Sequence, residues 1–190
     1  MLKISKIKSE IEVKLPFSDN ELERLRNAAS LTRDHKRDRA VIEFMMSTGC
    51  RVSEIVGLDI NDVDFLRGTC IVHGKGNKDR KVYISEKAMY YLQEYIINRK
   101  YSSNVLFTNR FGDRWSKQSI EKMVKTIASK ANVENAHPHR FRRTFATNAL
   151  SKGMPVQHLQ KILGHKSLDT TMIYCCVDDD TIKFEHNKVA

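Results

Sequence analysis

Hydrophobic positions recur at helical spacing along most of the chain. Ser18-Asp19-Asn20-Glu21 has the form of a capping box, and Leu22 and Leu25 behind it share one face, so a helix opens soon after Pro16. A second helix is predicted from about Asp38 to Ser47, with Val41, Phe44 and Met45 turned inward. Gly49 interrupts it, and Val52, Ile55 and Val56 mark a short third helix that ends at Gly57. The period then changes. Residues 69–73 and 81–84 are rich in β-branched and aromatic side chains and flank Gly74-Lys75-Gly76-Asn77-Lys78-Asp79-Arg80, which predicts a hairpin with a long basic turn. Helical spacing returns over 85–99 and again over 116–130, through Ile120, Met123, Val124 and Ile127. Pro138 suits the entry to a helix reaching about Ser151, and Pro155 the entry to one ending at Gly164. Ser167 or Asp169 caps the next helix, through Tyr174, and a weak helix follows Asp180. The expected fold is mainly α with one small antiparallel sheet, an α+β hairpin element inside a helical domain. Residues 1–16 read as a basic lead-in, 17–177 as one domain and 178–190 as a C-terminal tail.

Composition narrows the class. The chain has 190 residues, 41% hydrophobic and 29% charged, an ordinary globular balance that excludes low-complexity and collagen-like readings. Nowhere do apolar residues run long enough to span a bilayer, and the N-terminal residues alternate charge, so neither a membrane span nor a signal peptide is predicted. Cys50, Cys70, Cys175 and Cys176 form no CxxC pair and lack the usual zinc-ligand spacing, which fits a reduced, cytoplasmic setting. Thirty-three Lys+Arg against 23 Asp+Glu give a net charge of +10, so a polyanion is the expected partner. Charge alone names no function, since any nucleic-acid binder carries it. Its distribution says more. Residues 71–81 hold four Lys/Arg against one Asp (net +3), 114–143 hold eight against two Glu (net +6), and 175–190 hold two Lys against four acids (net −2). The basic face is internal to the chain, and Lys78, Arg80, Lys81, Lys117, Arg140, Arg143 and Lys166 are its expected DNA contacts.

Taken singly, the candidate chemical groups are ambiguous. His139 and Arg142 lie three apart after Pro138 and would share a helical face, which suits an anion but equally a solvated basic helix start. Arg51 stands in an apolar stretch and either pairs with Glu54 or joins Arg142 as a second guanidinium fork on one phosphate. Lys75 reads either as an exposed turn lysine or as a mobile cation able to reach a groove and deliver a proton. His165 and Tyr174 are nine residues apart. On one continuous helix they would face opposite ways, but Gly164 breaks the helix and lets both face one site. Tyr174 alone reads equally as a core tyrosine.

Their order along the chain is distinctive. Gly49-Cys50-Arg51-Val52-Ser53-Glu54, Gly74-Lys75-Gly76-Asn77-Lys78-Asp79-Arg80, His139-Arg140-Phe141-Arg142-Arg143-Thr144-Phe145-Ala146-Thr147, Leu163-Gly164-His165-Lys166-Ser167 and Thr170-Thr171-Met172-Ile173-Tyr174 follow one another. This succession resembles the catalytic domain of the tyrosine recombinase, or phage integrase, family, in particular its Xer-like and mobile-element members. The resemblance runs over about residues 17–178 and fills six catalytic positions: Arg51, Lys75, His139, Arg142, His165 and Tyr174. It implies transesterification without metal, ATP or other cofactor. Tyr174 would attack a DNA phosphodiester to form a 3′-phosphotyrosyl link, and Arg51 and Arg142 would neutralise charge on the five-coordinate phosphorus. By the same resemblance, Lys75 would protonate the leaving 5′-oxygen and His139 would assist proton movement at the nucleophile. His165 would hydrogen-bond the scissile phosphate, and Glu54 would support the site without reacting.

The resemblance also implies partners: a double-stranded recombination site, a homotetramer on DNA from a chain monomeric alone, and an accessory directionality factor. Members of the family usually carry a further helical DNA-binding domain ahead of this one. A tail such as 178–190 docks either in cis or on a neighbouring protomer. Two rival expectations stand beside recombination: a topoisomerase IB-like nicking-closing enzyme, and a non-catalytic DNA-binding regulator on the same scaffold.

Overall fold

The computed structural model describes residues 15–74, 78–165, 167–172 and 174. Eight helices and a three-stranded antiparallel sheet make up the described part: α1 (Asp19–Ser30), α2 (His35–Thr48), α3 (Val52–Gly57), β1 (Val63–Asp64), β2 (Thr69–Gly74), β3 (Lys78–Tyr83), α4 (Glu86–Asn98), α5 (Lys117–Ala131), α6 (Pro138–Ser151), α7 (Val156–Leu163) and α8 (Asp169–Met172). The mainly helical expectation holds. So do the capping box of Ser18 and Glu21 and the start of α6 at Pro138.

Two differences have simple causes. The strands continue further into the basic segment than β-propensity predicts, by one residue on β2 and three on β3, with Gly74 paired to Lys78, because ladder bonding carries polar residues along once the register is set. The edge strand β1, which pairs Val63 with Cys70 and Asp64 with Thr69, is two residues long and too short to leave a periodic signal. The predicted helix after Asp180 lies outside the described residues.

α2 is the axis of the domain. Val41, Ile42, Phe44 and Met45 are buried on different sides of it, and it touches α1, α4, α6 and β3. Around it Leu25 of α1, Ile55 of α3, Val72 and Val82 of the sheet, Leu92 of α4, Ile120 and Ile127 of α5 and Phe141 of α6 close one core. A second, smaller cluster gathers Ala146 of α6 with Leu159 and Leu163 of α7, and Phe145, Met154 and Tyr174 pack against it. α6 therefore contributes its first half to one core and its second half to the other, and Arg142 falls at the seam.

Two arginines expected to face DNA are instead committed to the fold. Arg140 gives its donors to the Glu134, Leu15 and Pro16 carbonyls and to both carboxylate oxygens of Glu21, with its guanidinium 4.1 Å above the Phe17 ring. Together with Thr144, whose hydroxyl accepts the Phe17 N–H at 2.8 Å, it ties residues 15–21 to α6. Arg140 is corrected from a DNA contact to a tertiary clamp. Arg80 is the other such case, described with the site. Among the remaining basic candidates, Lys81 is exposed, Lys117 is half-exposed beside Glu121, and Arg143 is half-buried with Nη1 3.4 Å from the Leu15 carbonyl. Lys75, Lys166 and the Lys78 side chain lie outside the described residues.

Gly49 ends α2 in the left-handed region at φ 61°, where only glycine is unstrained, and a Cβ there would stand 2.4 Å from Phe145 Cδ1. Gly49→Ala is expected to destabilise the domain by about 3 kcal/mol, seen as a Tm about 6–12 °C lower in thermal unfolding.

Candidate active site

α7 is the element on which the site is assembled. Gly164, at φ 64°, turns the chain left-handed, and the N–H groups of Gly164 and His165 bond back to the Lys161 and Gln160 carbonyls. The carbonyls of Ile162 and Leu163 are left as orphan acceptors at the negative end of the helix dipole. Arginines from three other elements take them. Arg80 of β3 gives its Nε–H to Ile162 O at 2.7 Å, Arg142 of α6 gives Nη2 to Leu163 O at 2.7 Å, and Arg51, ahead of α3, places Nη1 3.5 Å from the same Leu163 oxygen. Arg142 also gives Nη1 to the Gly49 carbonyl at 2.7 Å. Arg51 and Arg142, far apart in sequence, thus share one acceptor.

Burial differs between the two. Arg142 is 4% exposed, and burial, reinforced by the Arg51 charge, pushes its pKa down to about 10, which still leaves it charged at neutral pH. The Arg51 side chain is 38% exposed. Among the described residues, no acceptor takes Nε or Nη2 of Arg51, or Nε of Arg142. These free donors are what an incoming anion would meet.

Glu54 sits beneath them. It accepts the Arg51 N–H at 2.7 Å and Arg51 Nη1 at 2.9 Å, and both its oxygens are bridged by Arg80, at 2.7 and 2.8 Å. Burial alone would raise this carboxyl, but the hydrogen bonds and charges of Arg80 and Arg51 hold it below the usual carboxylate range. Arg80 is therefore not a DNA contact: all three of its donor nitrogens are spent on Glu54 and α7. The missed role had a signal. Arg80 is two residues from Val82 and opposite Val72, both fully buried, so strand alternation turns its side chain inward.

His165 follows the turn. Its Nε2 is 2.8 Å from Arg142 Nη2 and its Nδ1 2.8 Å from Thr171 Oγ1. A guanidinium only donates, so Nε2 is the accepting nitrogen and Nδ1 carries the proton that Thr171 receives. Burial, then the charges of Arg142, Arg51 and Arg80, push the His165 pKa down to about 4. Tyr174, half-buried, stacks on this imidazole with ring centroids 6.2 Å apart and 26° between planes. Its phenol is near enough to Arg142 for the phenolate to strengthen that arginine's hold on its proton. His139 stands at the surface on the first turn of α6, and partial burial with the Arg142, Lys117, Arg51 and Arg143 charges lowers its pKa. Of the six positions singled out in the sequence, the structure brings Arg51, Arg142, His165 and Tyr174 together, sets His139 within their electrostatic reach, and leaves Lys75 outside the described residues. Arg80 was singled out only as a DNA contact, and Thr171 and the Gly49, Ile162 and Leu163 carbonyls were not singled out. Backbone acceptors carry no side-chain signature.

Among the described residues there is no group of three or more His, Cys, Asp or Glu placed to hold a metal ion, and no helix long and apolar enough to cross a membrane. The chemistry on offer is a cluster of guanidinium donors with one buried carboxylate, a neutral imidazole and a phenol.

Residues 6–181 match the phage integrase family, and the chain belongs to that family, the tyrosine recombinases. Among its relatives is the tyrosine recombinase XerD of Staphylococcus saprophyticus, 37% identical over 159 residues that cover 80% of this chain and 54% of that protein. Solved structures that resemble it include XerA recombinase, 33% identical with a TM-score of 0.81 over 92% of this chain and 65% of that one. Another is the XerH site-specific recombinase bound to its difH substrate in a pre-cleavage complex, 27% identical with a TM-score of 0.77 over 92% of this chain and 54% of that one. The chain spans about half the length of the curated relatives it matches.

In the DNA-free protein, the His165 imidazole is expected to titrate near pH 4, read from its ring-proton shifts by NMR, and Arg142→Gln to move the midpoint up toward the ordinary 6.5. Protonation of this imidazole opposes folding. Because the folded value is depressed, this group's contribution is complete above pH 6.5 and is lost as pH falls through about 4.

Proposed function

We propose that this chain is the catalytic domain of a site-specific DNA recombinase that cleaves and rejoins DNA through a 3′-phosphotyrosyl intermediate. The observation that carries the proposal is the convergence of Arg51 and Arg142 on the Leu163 carbonyl, with His165 bridged to Arg142 and Tyr174 stacked on His165.

In the cleavage step the Tyr174 oxygen forms a bond to phosphorus as the bond from phosphorus to the 5′-oxygen breaks. A protonated phenol is a weak nucleophile, and its proton leaves with the help of His139, which partial burial and then the surrounding cations hold toward its neutral, accepting form. The free donors of Arg51 and Arg142 take the non-bridging oxygens, stabilising charge that grows in the transition state, an effect worth roughly 3–4 kcal/mol per preorganised donor. Lys75 protonates the departing 5′-oxygen, and His165 holds Arg142 at the phosphate through its accepting Nε2. The ester to Tyr174 conserves the bond for religation when a 5′-hydroxyl attacks in reverse, so no cofactor enters the scheme.

The partner in this reading is a double-stranded recombination site, supported by the net charge of +10 and by the likeness to XerH, whose structure contains its difH substrate. Strand exchange would take place in a homotetramer of chains monomeric alone, with residues 178–190 exchanged between protomers and residues 1–16 leading in from any DNA-binding domain upstream. Integration, excision or resolution of mobile-element DNA in the cytoplasm, associated with the nucleoid and guided by an accessory directionality factor, completes the reading.

Incubation with nicked suicide duplexes tests it. A covalent protein–DNA adduct is expected, absent with Tyr174→Phe and reduced at least 100-fold with Arg142→Lys, since an ammonium lacks the planar fork. Retained DNA binding with no adduct would make the chain a regulator, and relaxation of supercoils by the lone domain would make it a nicking-closing enzyme. Lys75→Ala is expected to lose cleavage of ordinary DNA and regain it when a 5′-sulfur, which needs no proton, replaces the leaving oxygen.

A further inference from the structure

We propose that Arg80 is a positioning residue that keeps Glu54 from capturing Arg51, and so holds Arg51 open to the scissile phosphate; this rests on the function proposed above. Glu54 is 7% exposed and has two carboxylate oxygens. Arg80 bridges both of them, at 2.7 and 2.8 Å, and is itself fixed at the far end by its Nε–H bond to Ile162 O. The Arg51 guanidinium therefore reaches the carboxylate through one nitrogen only, Nη1 at 2.9 Å, while its Nε and Nη2 meet no acceptor among the described residues. A planar guanidinium beside an unshared carboxylate closes into a two-pronged pair, the strongest geometry open to it. Arg80 occupies the position that would let Arg51 do so.

The surroundings reserve that place for Arg80. Its side chain enters from the inward face of β3 and passes Gly164, where a Cβ would lie 3.1 Å from Arg80 Cδ. Apart from Arg51 and Arg80, no cation bonds Glu54 among the described residues. Were Arg80 removed, the buried carboxylate would keep its charge through Arg51 alone, and Arg51 would turn its free edge inward onto Glu54. Catalysis would suffer through Arg51 with every group that touches DNA still present.

The experiment compares Arg80→Gln, Glu54→Gln and the double variant with the unaltered chain. Two readouts are taken: the single-turnover rate of adduct formation on a suicide duplex, and the guanidinium NMR signal of Arg51 in the DNA-free protein. Arg80→Gln is expected to slow cleavage at least 30-fold, with DNA affinity within about threefold, and to show Arg51 in slowed exchange on Glu54. Adding Glu54→Gln removes the capturing charge, so the double variant is expected to cleave at least tenfold faster than Arg80→Gln, with Arg51 released. If Arg80 were merely structural, a second lesion in the same network would not restore activity. A double variant no faster than Arg80→Gln would overturn the proposal, as would an Arg51 signal unchanged in Arg80→Gln. The NMR arm decides the matter even if the unaltered chain forms no adduct, an outcome that would refute the recombinase reading instead.

Discussion

The site depends on one constraint: a helix must end with carbonyls that nothing in the helix can satisfy. Two unpaired acceptors at the C-terminus of α7 draw Arg80, Arg142 and Arg51 to one point, and the left-handed Gly164 makes that end blunt and accessible. Like charges gathered so closely would repel in a dry interior. Here the helix dipole and the buried carboxylate of Glu54 offset much of that repulsion, and the excess of positive charge remains for an anion. Burial, joined by the same excess, keeps the His165 ring neutral.

Much of the fold could be read from the chain because local and long-range demands agree in it. The Ser18 box, Pro138 at the head of α6 and Gly164 at the foot of α7 are signals whose physical cause lies within a few residues, and each appears in the structure where the pattern put it. Strand β1 was illegible for the opposite reason, since a two-residue edge strand exists only through its partner.

The site divides along the same line. Arg51, His139, Arg142, His165 and Tyr174 could be singled out because side-chain identity carries their chemistry. The acceptors that aim the arginines are main-chain carbonyls, which every residue has. Arg80 and Arg140 were misread because counting charge along a sequence treats every arginine as solvent-facing. In the structure one lies on the buried side of a strand and the other is clamped over Phe17. Alternation about Val82 would have flagged the first. The second needed knowledge that residues 15–21 pack against α6.

That packing has a mechanical meaning. Arg140 and Thr144 grip the segment entering the domain, and Arg142 projects from the same helix roughly half a turn round its circumference. Anything joined upstream of residue 15 leaves from a point riveted to the back of the helix whose front carries the Arg142 guanidinium. A pull or twist on that leader would be borne by α6, and a neighbouring module that grips the duplex could shift Arg142 by fractions of an ångström without contacting it.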